Sequence, residues 1–140
     1  MLYITFGIIC RVTSIIDIQK QKIYNETVAA LFAPAIVSFF VFPEISWISR
    51  LLGAMIVSGS MLLISLLSNG AFGGGDIKFM IPVGVMLGLK GVWYAWILAI
   101  FVSGGWCLVI LGSGVKKFSF GPALCIGSFA ALVMLDIHII

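Results

Sequence analysis

The sequence predicts an all-α membrane protein, built as one polytopic bundle of about six transmembrane helices. Only 9% of the 140 residues are charged, 62% are hydrophobic, and the mean hydropathy is +1.26. A soluble domain needs roughly a quarter of its residues charged to keep its surface in water, so most of this surface must face lipid. Since about 20 apolar residues cross the hydrocarbon core, the helices fill the chain. We therefore expect a single integral-membrane domain over residues 1–140 and no soluble domain.

Short polar or glycine-rich breaks separate the apolar runs and place the helices in order. The first run ends at Asp17, Pro43 closes the second, and a glycine-rich break that ends in Asp76 precedes the fourth. Lys90 and Gly91 separate the fourth run from the fifth. The runs cover approximately residues 2–16, 27–42, 47–67, 77–89, 92–111 and 120 to the C-terminus.

The first run is expected to stay in the protein, because neither a basic segment nor a small-residue cleavage site accompanies it. The distribution of basic residues then predicts the orientation. Loops one, three and five carry Lys20, Lys22, Lys78, Lys116 and Lys117, whereas loops two and four carry Arg50 and Lys90. By the positive-inside rule, the odd loops face the cytoplasm and both termini lie outside.

The charge and the cysteines argue against several classes of partner. A net charge of +3, dispersed along the chain, does not indicate nucleic acid. The cysteines, Cys10, Cys107 and Cys125, stand alone in apolar runs, without a CxxC or Cys/His pattern, and are interpreted as small membrane-buried thiols. We therefore expect neither a metal site nor another cofactor; the lipid bilayer is the partner that composition implies.

Asp17 and Asp76 are two of only five acidic residues, and the topology places both at the cytoplasmic edge of the membrane. A carboxylate at this depth is costly and usually faces a polar cavity or a partner. The helix dipole favours Asp76 at a helix N-terminus but disfavours Asp17 at a C-terminus. Marking a helix end is the simpler interpretation of each residue, but the pair favours a functional site.

Two close carboxyl groups can cleave an amide without a metal or a covalent intermediate. Because like charges a few ångströms apart cannot both ionise, the groups share a proton. The ionised member takes a proton from water, which attacks the scissile carbonyl; the protonated member supports the oxyanion and protonates the leaving amine. The sequence leaves open which aspartate takes which part.

Five neighbouring residues are candidates for supporting this chemistry. Gly73, Gly74 and Gly75 let a substrate backbone approach closely, although a flexible turn also explains them, and no phosphate-loop pattern surrounds them. Lys78 can anchor the helix at the interface or tune the aspartates. Asn25 can order the first loop, although capping the second helix also accounts for it.

Three segments resemble motifs of the type IV prepilin peptidases, in the expected order. Residues 72–78, FGGGDIK, resemble the family's GxGD segment, and residues 17–25 resemble its first motif. Residues 120–124 resemble the late Phe-Gly-Pro segment that opens the last helix. Tyr24 departs from the proline that the family often has before Asn25.

This resemblance implies an aspartic-type endopeptidase that removes the short basic leader of prepilin-like precursors at the cytoplasmic face of the inner or plasma membrane. It implies Asp17 and Asp76 as the catalytic pair and a role in type IV pilus assembly or protein secretion. Longer members also N-methylate the new terminus and carry a cytoplasmic insertion, often with paired CxxC motifs. This chain lacks the insertion and the CxxC motifs, so it resembles the short, peptidase-only members of Tad/Flp-type systems.

Two other functions stay open at this point. The chain could be a small proton- or cation-coupled carrier that uses the same two aspartates, although it has no clear internal repeat. It could also be a noncatalytic subunit of pilus assembly.

Overall fold

The computed structural model describes residues 2–20, 23–68, 73–113 and 120–137, and within these ranges every regular element is helical. The elements are α1 (Leu2–Lys20), α2 (Asn25–Val41), α3 (Trp47–Leu67), α4 (Gly74–Ser113) and α5 (Gly121–Asp136). The all-α prediction is therefore confirmed. Lys22, Phe72, Lys116 and Lys117 lie outside the described residues.

A break at Gly88 divides α4 into two arms. Gly88 has φ +69° and ψ −177°, a conformation that is essentially restricted to glycine. On the second arm, Gly91 faces Leu135 near the end of α5, and Ala95 and Ala99 face Gly127 closer to its start. The second arm therefore runs antiparallel to α5.

The two arms correspond to the predicted fourth and fifth helices, but the predicted boundary between them was wrong. It was placed at Lys90 and Gly91, both of which are helical. The chain turns at Gly88 because a positive φ decides the position of the break, and hydropathy carries no information about φ.

Small residues bring α3 against the first arm of α4. A Cβ atom on Gly84 would lie 2.6 Å from the backbone Cα of Ala54, and one on Gly53 would lie 2.8 Å from the carbonyl carbon of Gly88. Such close approach is typical of helices packed within membranes, where small residues allow van der Waals contact between backbones.

The helices are of the kind that membranes contain. α1, α3 and residues 74–109 of α4 are long and apolar enough to span a bilayer, and α2 and α5 are shorter apolar helices. Large apolar side chains are buried in the bundle, such as Phe6 and Phe79, and others face outward, such as Phe40, which is 83% exposed. An outward apolar surface of this kind suits lipid rather than water. Cys10 and Cys125 are buried as expected, whereas Cys107 is exposed.

Arg50 was interpreted from the sequence as a loop charge that marks topology, and this was wrong. The side chain is 2% exposed, and its guanidinium donates hydrogen bonds to the carbonyl oxygens of Ser38 (3.1 Å), Phe42 (2.7 Å), Val85 (2.9 Å) and Met86 (3.3 Å). The first two carbonyls end α2, and the others end the first arm of α4. One cation therefore adds a donor at two helix C-termini, where helices leave carbonyl groups short of partners; the Ser38 and Phe42 carbonyls also accept from backbone N–H groups.

Candidate active site

Asp17 lies in the last turn of α1, which extends beyond the predicted end at residue 16. The residue is buried, with 6% of its surface exposed. Its Oδ2 atom accepts a hydrogen bond of 2.8 Å from the backbone N–H of Gly121, the first residue of α5. The N-terminus of α5 thus supplies a favourable dipole for a carboxylate that its own helix end disfavours.

Asp76 lies in the first turn of α4 and is 9% exposed. Its backbone N–H donates to the carbonyl oxygen of Gly73 over 3.0 Å, and its carboxyl group is hydrogen-bonded to the backbone of the same residue. The charge on Asp17 acts on this carboxyl group. The two aspartates are therefore both buried and near enough for their charges to interact, with Asp17 beside the start of α5 and Asp76 at the start of α4.

The sequence did not assign Gly121 or Cys125 to this site. Gly121 belongs to the Phe-Gly-Pro segment, and this motif was the feature of the sequence that could have pointed to it. The motif alone does not show that Gly121 contacts Asp17. Cys125 lies one turn further along α5, within range of the charges on both aspartates. Its thiol donates to the carbonyl oxygen of Cys10 over 3.4 Å, and this contact joins α5 to α1 beneath the carboxyl groups.

The three glycines before Asp76 have different surroundings. A Cβ atom on Gly75 would lie 2.7 Å from the Cβ of Ile23, so the protein's own chain occupies that space. A Cβ on Gly74 would meet nothing within 4 Å, and one on Gly73 would meet the Asp76 carboxyl group at 3.3 Å. Among the described residues, an open approach for another backbone therefore exists at Gly74, whereas the Asp76 carboxyl group lies against Gly73 and Gly75 serves the packing of the bundle.

Lys78 and Asn25 contact each other. The Lys78 ammonium donates a hydrogen bond of 3.1 Å to the Asn25 side-chain oxygen. The capping role suggested for Asn25 was wrong, because Tyr24 occupies the N-cap position of α2 and makes no side-chain cap. Asn25 is instead the first residue of the helix, and its side chain reaches across to α4.

Among the described residues, no group of three or more His, Cys, Asp or Glu side chains is arranged to hold a metal ion. The chemistry that this site presents is a pair of buried carboxyl groups, each hydrogen-bonded to a backbone group. Such a pair can exchange protons with a water molecule and with a bound amide.

Comparison with known proteins identifies relatives of this chain. The model of the type IV leader peptidase family matches residues 4–112, which include both aspartates. The prepilin leader peptidase/N-methyltransferase of Bacillus subtilis (strain 168) is 30% identical over 141 aligned residues, covering 97% of this chain and 55% of that protein. The chain therefore spans about half the length of this curated relative. No solved structure matches it. Because the family match covers most of the sequence, the chain belongs to the type IV leader peptidase family.

Proposed function

We propose that this protein is a membrane aspartic endopeptidase that removes the short basic leader from type IV prepilin-like precursors. One observation carries the proposal: Asp17 and Asp76, far apart in the sequence, are both buried, and the charge on Asp17 reaches the carboxyl group of Asp76. Burying two carboxyl groups is costly, and ionisable groups retained inside a membrane protein usually belong to a functional site. Membership of a family of leader peptidases indicates the function of that site.

The mechanism uses one proton shared by the pair. A water molecule held between the carboxyl groups gives a proton to the ionised aspartate, and its oxygen attacks the carbonyl carbon of the scissile peptide bond. The protonated aspartate donates a hydrogen bond to the oxyanion that forms. When the C–N bond breaks, the leaving amine takes a proton from a carboxyl group, and the pair again holds one proton.

Gly121 and Gly73 keep the aspartates in position for these steps. The Gly121 N–H holds Oδ2 of Asp17, and the backbone of Gly73 holds the carboxyl group of Asp76. Backbone groups at helix ends move little, so little reorganisation is needed when the charges shift. The open face of Gly74 leaves room for the substrate backbone close to Asp76.

We further propose that the protein is a multi-pass protein of the inner or plasma membrane, with the aspartates at the cytoplasmic face and both termini outside. Lys20 and Lys78 lie at the aspartate end of the bundle, and Lys90 lies at the opposite end. Arg50 is buried against helix C-termini, so it no longer counts as an outer loop charge. The remaining excess of lysines at the aspartate end of the bundle supports a cytoplasmic site.

The orientation is testable by thiol labelling from either side of the membrane. Cys107 is the exposed native cysteine among the described residues and is first changed to serine. A cysteine at Lys20 is then expected to react only with reagents that reach the cytoplasm, and one at Lys90 with impermeant reagents added outside. The opposite labelling pattern would overturn the orientation.

We propose cleavage without N-methylation. The name of the Bacillus subtilis relative includes both activities, and a mass measurement on the processed product separates them. The expected mass is that of an unmethylated new N-terminus. A product heavier by one methyl group, formed with the purified protein and a methyl donor, would contradict this part of the proposal.

The central experiment is co-expression with a prepilin-like precursor, followed by the shift of the leader-free product on a gel. The parent is expected to remove the leader, and Asp17→Asn and Asp76→Asn are expected to abolish removal because neither amide can exchange the shared proton. Asp136→Asn is the matched control, since Asp136 ends α5 at the opposite end of the bundle.

Normal processing by either Asp17→Asn or Asp76→Asn would disprove the catalytic pair. Absence of cleavage by the parent, together with proton or cation uptake that both variants lose, would instead identify a carrier. Cleavage by the purified parent is expected to be unchanged by metal chelators.

A further inference from the structure

Ile23 belongs to the connection between α1 and α2, and it packs against the start of α4. A Cβ atom on Gly75 would lie 3.2 Å from both the backbone N and the backbone O of Ile23, so main chain packs against main chain here. Gly75 immediately precedes Asp76, and α1 carries Asp17 in its last turn before the connection begins. A shift of this connection would therefore change the separation of the two aspartates.

A hydrogen bond between two side chains also joins α4 to the start of α2. Lys78 on α4 and Asn25 on α2 are 53 positions apart in sequence, and their side chains meet at 3.1 Å. At the other end of the connection, the Lys20 ammonium lies 5.5 Å from the ring centroid of Tyr24, a favourable cation–π distance. One contact thus joins the start of α2 to α4, and the other joins Lys20, at the end of α1, to Tyr24, just before α2.

Lys78 is poorly placed to act directly on the reaction. Two residues along a helix correspond to a rotation of about 200°, so the side chain points away from Asp76. Its ammonium also engages Asn25. In addition, the leader of the proposed substrate is basic and would be repelled by a lysine. These three facts favour an indirect role.

We infer that Lys78 and Asn25 are positioning residues, which with Ile23 and Gly75 form a clamp that holds Asp17 at its working distance from Asp76. This inference rests on the proposed peptidase function. The clamp ties Ile23 and the start of α2 to the start of α4, and α1 ends only a few residues before Ile23. It therefore affects the geometry of the aspartates without touching the substrate. Its loss is expected to slow the chemical step and leave substrate binding unchanged.

The test is a double-mutant cycle on the purified protein, with kcat and KM measured on a prepilin-like precursor. Lys78→Met and Asn25→Leu are each expected to lower kcat about twofold to fivefold, as for one exposed hydrogen bond to a charged group. KM is expected to stay constant. The double variant is expected to be no slower than the slower single variant, because both changes break the same contact.

Lys78→Gln separates positioning from charge. A glutamine amide still donates to Asn25, so this variant is expected to retain more activity than Lys78→Met. Lys90→Met is the matched control, since Lys90 is an exposed lysine at the opposite end of the bundle. Three results would each overturn the clamp. The losses of kcat could multiply in the double variant, KM could rise while kcat stays normal, or Lys78→Gln could lose as much activity as Lys78→Met.

Hydrogen exchange tests the clamp independently of catalysis. The amides of Thr27 and Val28 bond to the carbonyl of Tyr24, next to Asn25. In Lys78→Met these amides are expected to exchange faster, while those of α3 keep the parent's rate. Unchanged exchange at Thr27 and Val28 would overturn the clamp, even if the variant has lost catalytic activity. If the parent cleaves no precursor, the proposed function fails. The hydrogen-exchange measurement still tests whether Lys78 and Asn25 hold this region in place.

Discussion

Gly121→Ala tests whether the start of α5 positions the catalytic pair. A Cβ atom at this position would lie 2.8 Å from Cγ and 3.1 Å from Cβ of Asp17. Non-bonded carbon atoms prefer about 3.5–4.0 Å, so the carboxyl group must move by about 1 Å. That movement also weakens the 2.8 Å hydrogen bond from the Gly121 N–H.

Two estimates of the effect agree. Loss of a hydrogen bond to a charged group costs about 1.5–3 kcal/mol, which corresponds to roughly 10- to 100-fold in rate. Displacement of a catalytic group by about 1 Å costs about 100-fold. We therefore expect kcat to fall close to 100-fold with little change in KM. Because alanine favours a helix over glycine by about 1 kcal/mol, the melting temperature is expected to stay near that of the parent.

The assay is the initial rate of leader removal by purified protein in detergent, with helical content followed by circular dichroism during heating. Gly59→Ala is the control, because a Cβ on Gly59 would meet nothing within 4 Å. It is expected to cleave at the parent's rate. A Gly121→Ala variant within threefold of the parent's kcat would refute the positioning of Asp17 by α5. A variant that melts much earlier would show that Gly121 serves folding instead.

Two further predictions concern the end of the bundle opposite the aspartates. Arg50→Met removes the side-chain donor that two helix ends share, including the one to the carbonyls of Val85 and Met86. We therefore expect a loss of about 3 kcal/mol or more in the free energy of unfolding, measured by denaturant titration; a change below 0.5 kcal/mol would contradict this capping role. Gly88→Ala must hold an L-residue in a glycine-only conformation at a cost of about 1–3 kcal/mol, and its Cβ would also lie 2.6 Å from the Ile45 side chain. We expect Gly88→Ala to reduce protease resistance of the membrane-inserted protein, and parental resistance would refute the turn at this residue.

Much of the fold could be predicted because hydropathy is a local property. The apolar runs follow from composition and order alone, and alternating passes through the bilayer place the end of the first run and the start of the fourth at one face. Asp17 and Asp76 were singled out as a candidate pair on that basis. The Phe-Gly-Pro segment was also recognised, although its contact with Asp17 was not.

The misplaced features depend on contacts between distant residues. Arg50 looked like an interface charge because the sequence does not show that α2 and the first arm of α4 end around it. Asn25 looked like a helix cap because its partner, Lys78, lies 53 positions away. Gly75 was expected to admit a substrate, but Ile23 of the same chain occupies that space.

The sequence by itself determined that this protein is a helical membrane bundle of the type IV leader peptidase family, with two acidic residues at one membrane edge. Tertiary structure alone decided that α4 turns at Gly88 and that Gly121 supports Asp17 from 104 positions away. The physical reason is that the free energy of transferring a segment into lipid is a sum over neighbouring residues, so it can be estimated along the sequence. A backbone torsion at one glycine, or a hydrogen bond between two helix ends, exists only when the packed helices impose it.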